Sequence, residues 1–105
     1  MTGKALELQG FQKKHLRGLA HTLEPVVQVG KDGVTGAVAR AVDEALTTHE
    51  LIKVRLLKPE DKKSFAQELA AQAGACLCAL VGHTVILYRP HPEKPVIRVP
   101  KRHKP

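Results

Sequence analysis

The chain has 105 residues and a formal net charge of +7, with 17 Lys and Arg against 10 Asp and Glu. This length predicts one domain, and a hydrophobic fraction of 43% supplies a core that is mainly aliphatic, since Phe11, Phe65 and Tyr88 are the only aromatic residues. No apolar run approaches the ~20 residues of a membrane helix, and the N-terminus lacks an apolar signal core. We therefore expect a cytoplasmic protein with no membrane partner, whose basic charge favours polyanions such as nucleic acid.

The first half of the chain predicts two helices and a strand between them. Apolar residues at three- to five-residue steps predict an amphipathic helix over 8–23, which ends before Pro25 because the residue preceding a proline avoids helical backbone. β-branched residues predict a short strand at 26–29. After a loop rich in glycine, Thr35 is the expected N-cap of a second helix that runs to about Thr48.

The second half predicts a strand, a helix and a pair of strands. LIKVRLL at 51–57 alternates apolar and basic residues, as a strand with two unlike faces does. Pro59, Glu60 and Asp61 are expected in the first turn of a third helix, which Gly74 ends in the left-handed conformation. The run ACLCALVGHTVILYR predicts two strands joined by a tight turn at Gly82-His83. The element order α-β-α-β-α-β-β predicts an α/β domain, with helices packed on a small four-stranded mixed sheet.

The candidate catalytic and metal-ligating residues have no suitable partners. Cys76 and Cys78 are the only cysteines, and a disulfide across so short a loop would be strained, so we expect reduced thiols. A zinc site needs more thiols or paired histidines, and none has the spacing; His15 and His21, for example, are six residues apart. We therefore predict no metal, no cofactor and no enzyme activity.

The stretch VQVGKDGVTG, residues 27–36, is the strongest candidate for a binding loop. Gly30 and Gly33 fall between a strand and a helix, where unpaired backbone N–H groups and the helix dipole favour an anion, and Lys31 adds a positive charge. The spacing matches neither a Walker A loop nor a dinucleotide fingerprint, but it does match the GXXG loop with which KH-type domains clamp a nucleic-acid backbone. The alternative is a plain turn, with Asp32-Gly33 as an ordinary turn dipeptide.

The C-terminal residues differ in composition from the rest of the chain. Residues 90–105 hold five of the seven prolines, and residues 89–105 carry six Lys or Arg against Glu93, which is +5 of the net +7. We predict a domain at 1–89 and a Pro-rich basic tail at 90–105 that is extended or disordered when free.

Three stretches together resemble a known family. HLRGLAHTLEPVVQVGKDGVT at 15–35, EALTTHELIKVR at 44–55 and GHTVILYR at 82–89 resemble the YhbY family of single CRM domains (chloroplast RNA splicing and ribosome maturation), over about residues 8–89. The resemblance implies a fold similar to the C-terminal domain of translation initiation factor three. It also implies binding to RNA, with bacterial members associated with precursors of the large ribosomal subunit.

We accordingly expect a monomer that binds rRNA in large-subunit precursors and has ribosomal proteins as further possible partners. The scarcity of aromatic residues favours recognition of RNA backbone and shape. Two alternatives stay open: a module that docks on a ribosomal protein or assembly factor, and a small enzyme that acts on a phosphate ligand. Lys53 and Arg55 could equally be paired with acids across the sheet. The predicted RNA-binding residues are Gly30, Lys31, Asp32, Gly33, Lys13, Lys14, Arg17, Lys53, Arg55, Lys101, Arg102 and Lys104.

Overall fold

Three helices and four strands follow one another in the predicted order. The computed structural model describes residues 8–30, 32–57, 61–93, 95 and 97. The elements are α1 (Gly10–Ala20), β1 (Pro25–Val29), α2 (Gly36–Thr48), β2 (Leu51–Leu56), α3 (Lys62–Ala73), β3 (Cys76–Val81) and β4 (Thr84–Tyr88). The predicted α/β architecture is confirmed.

The four strands form one mixed sheet in the order β1-β2-β4-β3. β1 pairs parallel to β2, while β4 lies antiparallel between β2 and β3. The carboxyl ends of β1, β2 and β3 therefore share one edge of the sheet. We call this edge the loop edge, because the segments 30–35 and 82–83 and the start of α3 all lie there. Two hydrogen bonds join its parts: Leu56 N–H to the His83 carbonyl and Leu57 N–H to the Val29 carbonyl, both at 2.8 Å.

One face of the sheet is closed by α2 and α3. Its side chains and those of the two helices form the larger core, in which the strand residues alternate as predicted for β2. The fully buried residues include Val29, Leu46, Val54, Leu56 and Leu69, each at most 2% exposed. We call this side the closed face.

Of the helices that the described residues form, α1 is the one that packs on the other face. Leu16 and Ala20 are fully buried there against a smaller cluster that contains Ile86 and Tyr88. The predicted apolar stripe of this helix is wrong in part, because Phe11, Leu19 and Leu23 are 42%, 44% and 38% exposed. The helix is also shorter than the predicted 8–23, so it leaves part of this face, the open face, uncovered.

The helix ends follow local side-chain chemistry. Thr35 is the N-cap of α2, as predicted, and its hydroxyl accepts the Val38 N–H at 3.2 Å. Asp61 is the N-cap of α3 and accepts the Ser64 N–H, so the prediction that it lies in the first turn is wrong by one position. Pro59 and Glu60 lie outside the described residues. Gly74 ends α3 with φ 62°, as predicted.

Two charged residues hold the end of β4 and the chain that follows it. The Arg89 guanidinium donates to the Asp43 carboxylate and to the Ala73 carbonyl, both at 2.8 Å, and so ties the ends of α2 and α3 together. Arg89 therefore has a structural role in the domain, although the sequence analysis included its charge in that of residues 89–105. The buried Glu50 carboxylate accepts the N–H groups of His91 at 2.7 Å and of Ile97 at 2.6 Å. The division at 89/90 stays a prediction.

None of the helices formed by the described residues combines the length and apolar character that a bilayer crossing requires.

Candidate nucleic-acid interface

A cleft between α1 and the sheet brings together cations that are distant in sequence. It lies on the open face, where α1 leaves the strands uncovered, and Arg17, His21 and Lys53 form its polar walls. Val81, Thr84 and Ile86 complete the lining. We call it the cationic cleft. No described acidic side chain lines it, so the positive charges of Arg17 and Lys53 add rather than cancel.

Lys53 is fixed within this cleft by the end of α1. Its ammonium group donates to the carbonyls of Leu23 at 3.0 Å and His21 at 3.4 Å, which are the backbone acceptors left unpaired after a helix ends. One of the two predictions for Lys53 was an ion pair with an acid. Among the described residues, its partners are backbone carbonyls instead, and these two carbonyls accept two of its three N–H donors.

Arg55 extends the positive surface toward the loop edge. It is exposed and lies on the same side of β2 as Lys53, opposite Gln28 of β1 and Thr84 of β4. It makes no ion pair with any residue that the structure describes. Gly30 follows Gln28 by two positions, so Arg55 connects the cationic cleft with the glycine loop.

The glycine loop is a closed turn. The Gly33 N–H donates to the Gly30 carbonyl at 3.0 Å, and the Thr35 N–H donates to the Gly33 carbonyl at the same distance. Gly33 has φ 75°, a left-handed conformation that favours glycine, and it is buried against the Phe65 ring. The prediction of a free amide is therefore wrong for Gly33, because the protein's own carbonyl occupies it.

The groups open to a ligand flank this turn. Gly30 is exposed, and a Cβ added there would meet no atom within 4 Å. At the start of α2, the exposed Gly36 and Ala37 have N–H groups without a hydrogen bond to any described residue, and they lie at the positive end of the helix dipole. Asp32 is exposed on the turn. Lys31 lies outside the described residues.

The remaining predicted cations are divided between α1 and the tail. Lys14 is exposed on the outer side of α1, whereas Lys13 is half-buried and close enough to Cys76 to lower the pKa of that thiol. The tail residues Lys101, Arg102 and Lys104 lie outside the described residues. The structure thus gathers Arg17, Lys53 and Arg55 on one face, with Lys13 one helical turn from Arg17.

Three residues of the candidate surface were not predicted. Lys62 and Lys63 are exposed at the start of α3, and Phe65 of the same helix contacts Gly33, so these lysines lie at the loop edge. Cations in the first turn of a helix are unfavourable because they lie at the positive end of the helix dipole. Two lysines at a predicted helix start could therefore have indicated a binding surface from the sequence. Phe11 is the second unpredicted feature: an exposed aromatic ring on α1, one turn from Lys14. Tyr88, the aromatic residue of β4, is buried.

The two cysteines lie beneath α1. Both are free and buried, and a register shift in the β3–β4 pairing falls between Leu77 and Ala79, at Cys78. The hydrogen bond with Cys78 lowers the pKa of Cys76 to about 7, against burial, which raises it. The same bond and burial raise the pKa of Cys78. Within the described ranges, no three His, Cys, Asp or Glu residues are grouped as metal ligands.

Known proteins share this arrangement along most of the chain. The sequence model of the CRS1/YhbY (CRM) domain matches residues 8–89. The chain is 40% identical over 95 residues to "Probable RNA-binding protein YqeI" of Bacillus subtilis, covering 89% of this chain and 99% of that one. It is 38% identical over 93 residues to a Haemophilus influenzae protein named "RNA-binding protein", covering 87% and 93%.

A solved structure agrees with the fold. The solution structure of the hypothetical protein SAV1595 from Staphylococcus aureus matches with a TM-score of 0.80 at 35% identity, covering 90% of this chain and all of that one. The chain belongs to the CRS1/YhbY (CRM) domain family.

Proposed function

We propose that this protein binds structured rRNA through the open face and the loop edge, and that it acts in the assembly of the large ribosomal subunit. The observation that carries the proposal is the cationic cleft with Arg55 beside it. Three cations from α1 and β2 lie on one face, and no described acid neutralises them. The names of the Bacillus and Haemophilus relatives support an RNA ligand, and the family resemblance supports rRNA.

The geometry favours contact with sugar-phosphate over reading of base edges. The cleft is a positive surface beside a short stretch of exposed strand, and a six-residue strand is about 20 Å long. Most of β2 is buried, and Lys53 and Arg55 are the residues of this strand that reach the surface, two positions or about 7 Å apart, which suits contact with neighbouring phosphates of one RNA strand. The exposed Gly30 and the free amides at the start of α2 extend the positive surface at the loop edge, where a phosphate approaches without meeting a Cβ.

Removal of positive charge from the open face, compared with its removal from the opposite side, tests the proposal. Arg17→Gln combined with Arg55→Gln should weaken binding to deproteinised large-subunit rRNA by about tenfold or more. It should also reduce the log–log salt slope by roughly 1 to 2, since each lost phosphate contact contributes about 0.7 to 0.9. Filter binding over a range of salt concentrations measures both quantities.

Arg40→Gln is the matched control, because Arg40 is an exposed cation on α2, which packs on the closed face. It removes the same charge from the opposite side of the protein. Equal losses for Arg40 and Arg55, tested as single variants, would contradict the proposal, because the cations would then act only through net charge.

A docking module for a ribosomal protein or assembly factor is the second candidate. The exposed Leu19 and Leu23 favour it, since they line an apolar cleft at the end of α1 together with Leu51 and Ile97. Nuclease treatment of pre-ribosomal particles distinguishes the two functions. Association through protein survives loss of the RNA, whereas association through the cationic cleft does not.

A further inference from the structure

The Phe65 ring joins the glycine loop to the main core. Phe65 is half-buried on α3 and packs against the cluster on the closed face. The same ring covers Gly33: a Cβ built on this glycine would lie 3.5 Å from the ring's Cζ and 3.6 Å from its Cε1. Gly33 is buried by this contact, although Asp32 before it and Thr35 after it are exposed.

The contact is made at the residue that closes the loop. The Gly33 N–H donates to the Gly30 carbonyl, and the Gly33 carbonyl accepts the Thr35 N–H, both at 3.0 Å. Gly33 also has the positive φ, 75°, that a residue without a Cβ adopts most readily. The loop is therefore attached to α3 through the same residue that carries both of its closing hydrogen bonds, and Phe65 supports them together.

Lys62 lies beside this contact. It begins α3, three positions before Phe65, so the two side chains are neighbours on one side of the helix, with Cβ atoms about 5–6 Å apart. Because helical side chains tilt toward the N-terminus, Lys62 extends past the end of α3 at the loop edge. It is exposed and forms no ion pair with a described residue. The neighbouring Asp61 carboxylate accepts the Ser64 N–H as the helix cap.

Lys63 carries the same charge on another side of the helix. It is also exposed, but at 3.6 residues per turn its side chain projects about 160° away from that of Phe65. The two lysines thus differ by one position in the same turn, and Lys62 is the one that shares a side of α3 with the ring that contacts Gly33.

We infer that the start of α3 is part of the RNA-binding surface, with Phe65 as a positioning residue for the glycine loop and Lys62 as a phosphate contact beside it. This inference rests on the proposed function. A loop that is already held in one arrangement loses less conformational freedom on binding, so Phe65 raises affinity without touching the RNA. A sugar-phosphate backbone at Gly30 lies one hydrogen bond from Gly33, and Lys62 supplies a cation on that side.

The two lysines test the contact. Lys62→Gln should weaken binding to deproteinised large-subunit rRNA by about 3- to 10-fold and reduce the log–log salt slope by about 0.7 to 0.9. Lys63→Gln removes the same charge from the same turn and should cost about twofold or less, through general electrostatic attraction alone. Filter binding measures both variants, which change exposed side chains and leave the core intact. Equal losses for the two lysines would overturn the inference.

Phe65→Leu tests the positioning role, and Leu77→Ala is its matched control. Each removes the same number of carbon atoms from a half-buried position on the main core, and Leu77 lies near the start of β3, at the end of the sheet opposite the loop edge. Phe65→Leu should weaken rRNA binding by about 3- to 10-fold and speed hydrogen exchange of the Gly33 and Thr35 amides. Leu77→Ala should leave the affinity and both amides unchanged.

The combination of the two substitutions completes the design. Lys62→Gln should cost less in the Phe65→Leu background than in the unmodified protein, because the loop is no longer held beside the lysine. Strictly additive losses, or Phe65→Leu binding as tightly as Leu77→Ala, would overturn the positioning role. If Arg17 and Arg55 variants bind normally, the proposed function itself fails. If those variants bind weakly while the Lys62 and Phe65 variants bind normally, the cationic cleft stands and α3 lies outside the interface.

Discussion

The two faces of the sheet use their residues in opposite ways. The closed face has two helices, and its strand side chains are almost fully buried in an aliphatic core. The open face has one short helix among the described residues, and its strand positions include the half-buried Lys53 and Thr84 and the exposed Arg55. The comparison shows where the described helices leave strand residues accessible: on the open face the helix layer is incomplete and Arg55 is exposed, whereas the strand residues of the closed face are mostly buried.

The largest expected difference between the faces is in stability. Leu46→Ala empties a position that is 2% exposed in the main core and should lower the free energy of unfolding by about 2–5 kcal/mol. Leu19→Ala removes the same atoms from a position that is 44% exposed on α1, and should cost less than about 1 kcal/mol. Urea denaturation measures both. Similar losses would mean that the open face holds the fold as strongly as the closed one.

A smaller loss of stability is expected for substitutions of the two glycines with positive φ, and these substitutions distinguish the binding role of the glycine loop from its conformation. Gly33→Ala and Gly74→Ala each place a Cβ on backbone with positive φ, so each should cost about 1–2 kcal/mol in urea denaturation. Gly74 ends α3, at the opposite end of the sheet from the loop edge. We expect weaker rRNA binding for Gly33→Ala alone.

Gly30→Ala sharpens the same test, because the added Cβ meets nothing in the protein and should leave stability almost unchanged. Weaker binding of this variant would be due to obstruction of the ligand. Normal binding of both Gly30→Ala and Gly33→Ala would remove the glycine loop from the interface and leave the cationic cleft as the binding surface.

The sequence predicted the elements better than it predicted the contacts. Periodicity predicted α1 and β2 because burial against a sheet imposes it, and β-branched residues predicted β1. Thr35 and Gly74 were predicted as helix ends from their local chemistry. The sequence did not predict the hydrogen bonds of Lys53 and Glu50, because their partners are distant along the chain. Lys53 donates to the carbonyl of Leu23, 30 residues earlier, and Glu50 binds an amide 47 residues later. The Gly33 amide was misjudged for another reason, since a GXXG spacing does not specify whether the turn closes on itself.

A separate expected effect is a dependence of stability on pH that originates beneath α1. In the folded protein the Cys78 hydrogen bond lowers the pKa of Cys76 to about 7 from an ordinary value of 9. Stability should therefore rise between pH 7 and 9, since the folded state releases the Cys76 proton first, and this contribution is lost as the pH falls through 7. The pKa of Cys78 is raised, so stability should fall again above pH 9, where only the unfolded chain ionises this thiol.

Unfolding midpoints measured under reducing conditions across this range test the assignment. Cys78→Ala removes the hydrogen-bond donor, so the pKa of Cys76 should return toward its ordinary value and the rise between pH 7 and 9 should disappear. Replacement of both cysteines by Ala is the control, and it should flatten the profile on both sides of pH 9. A rise that persists in the double variant would assign it to another group. A rise that disappears in the double variant would assign it to the cysteine pair of the smaller core, whereas the buried members of the main core have no titratable side chain.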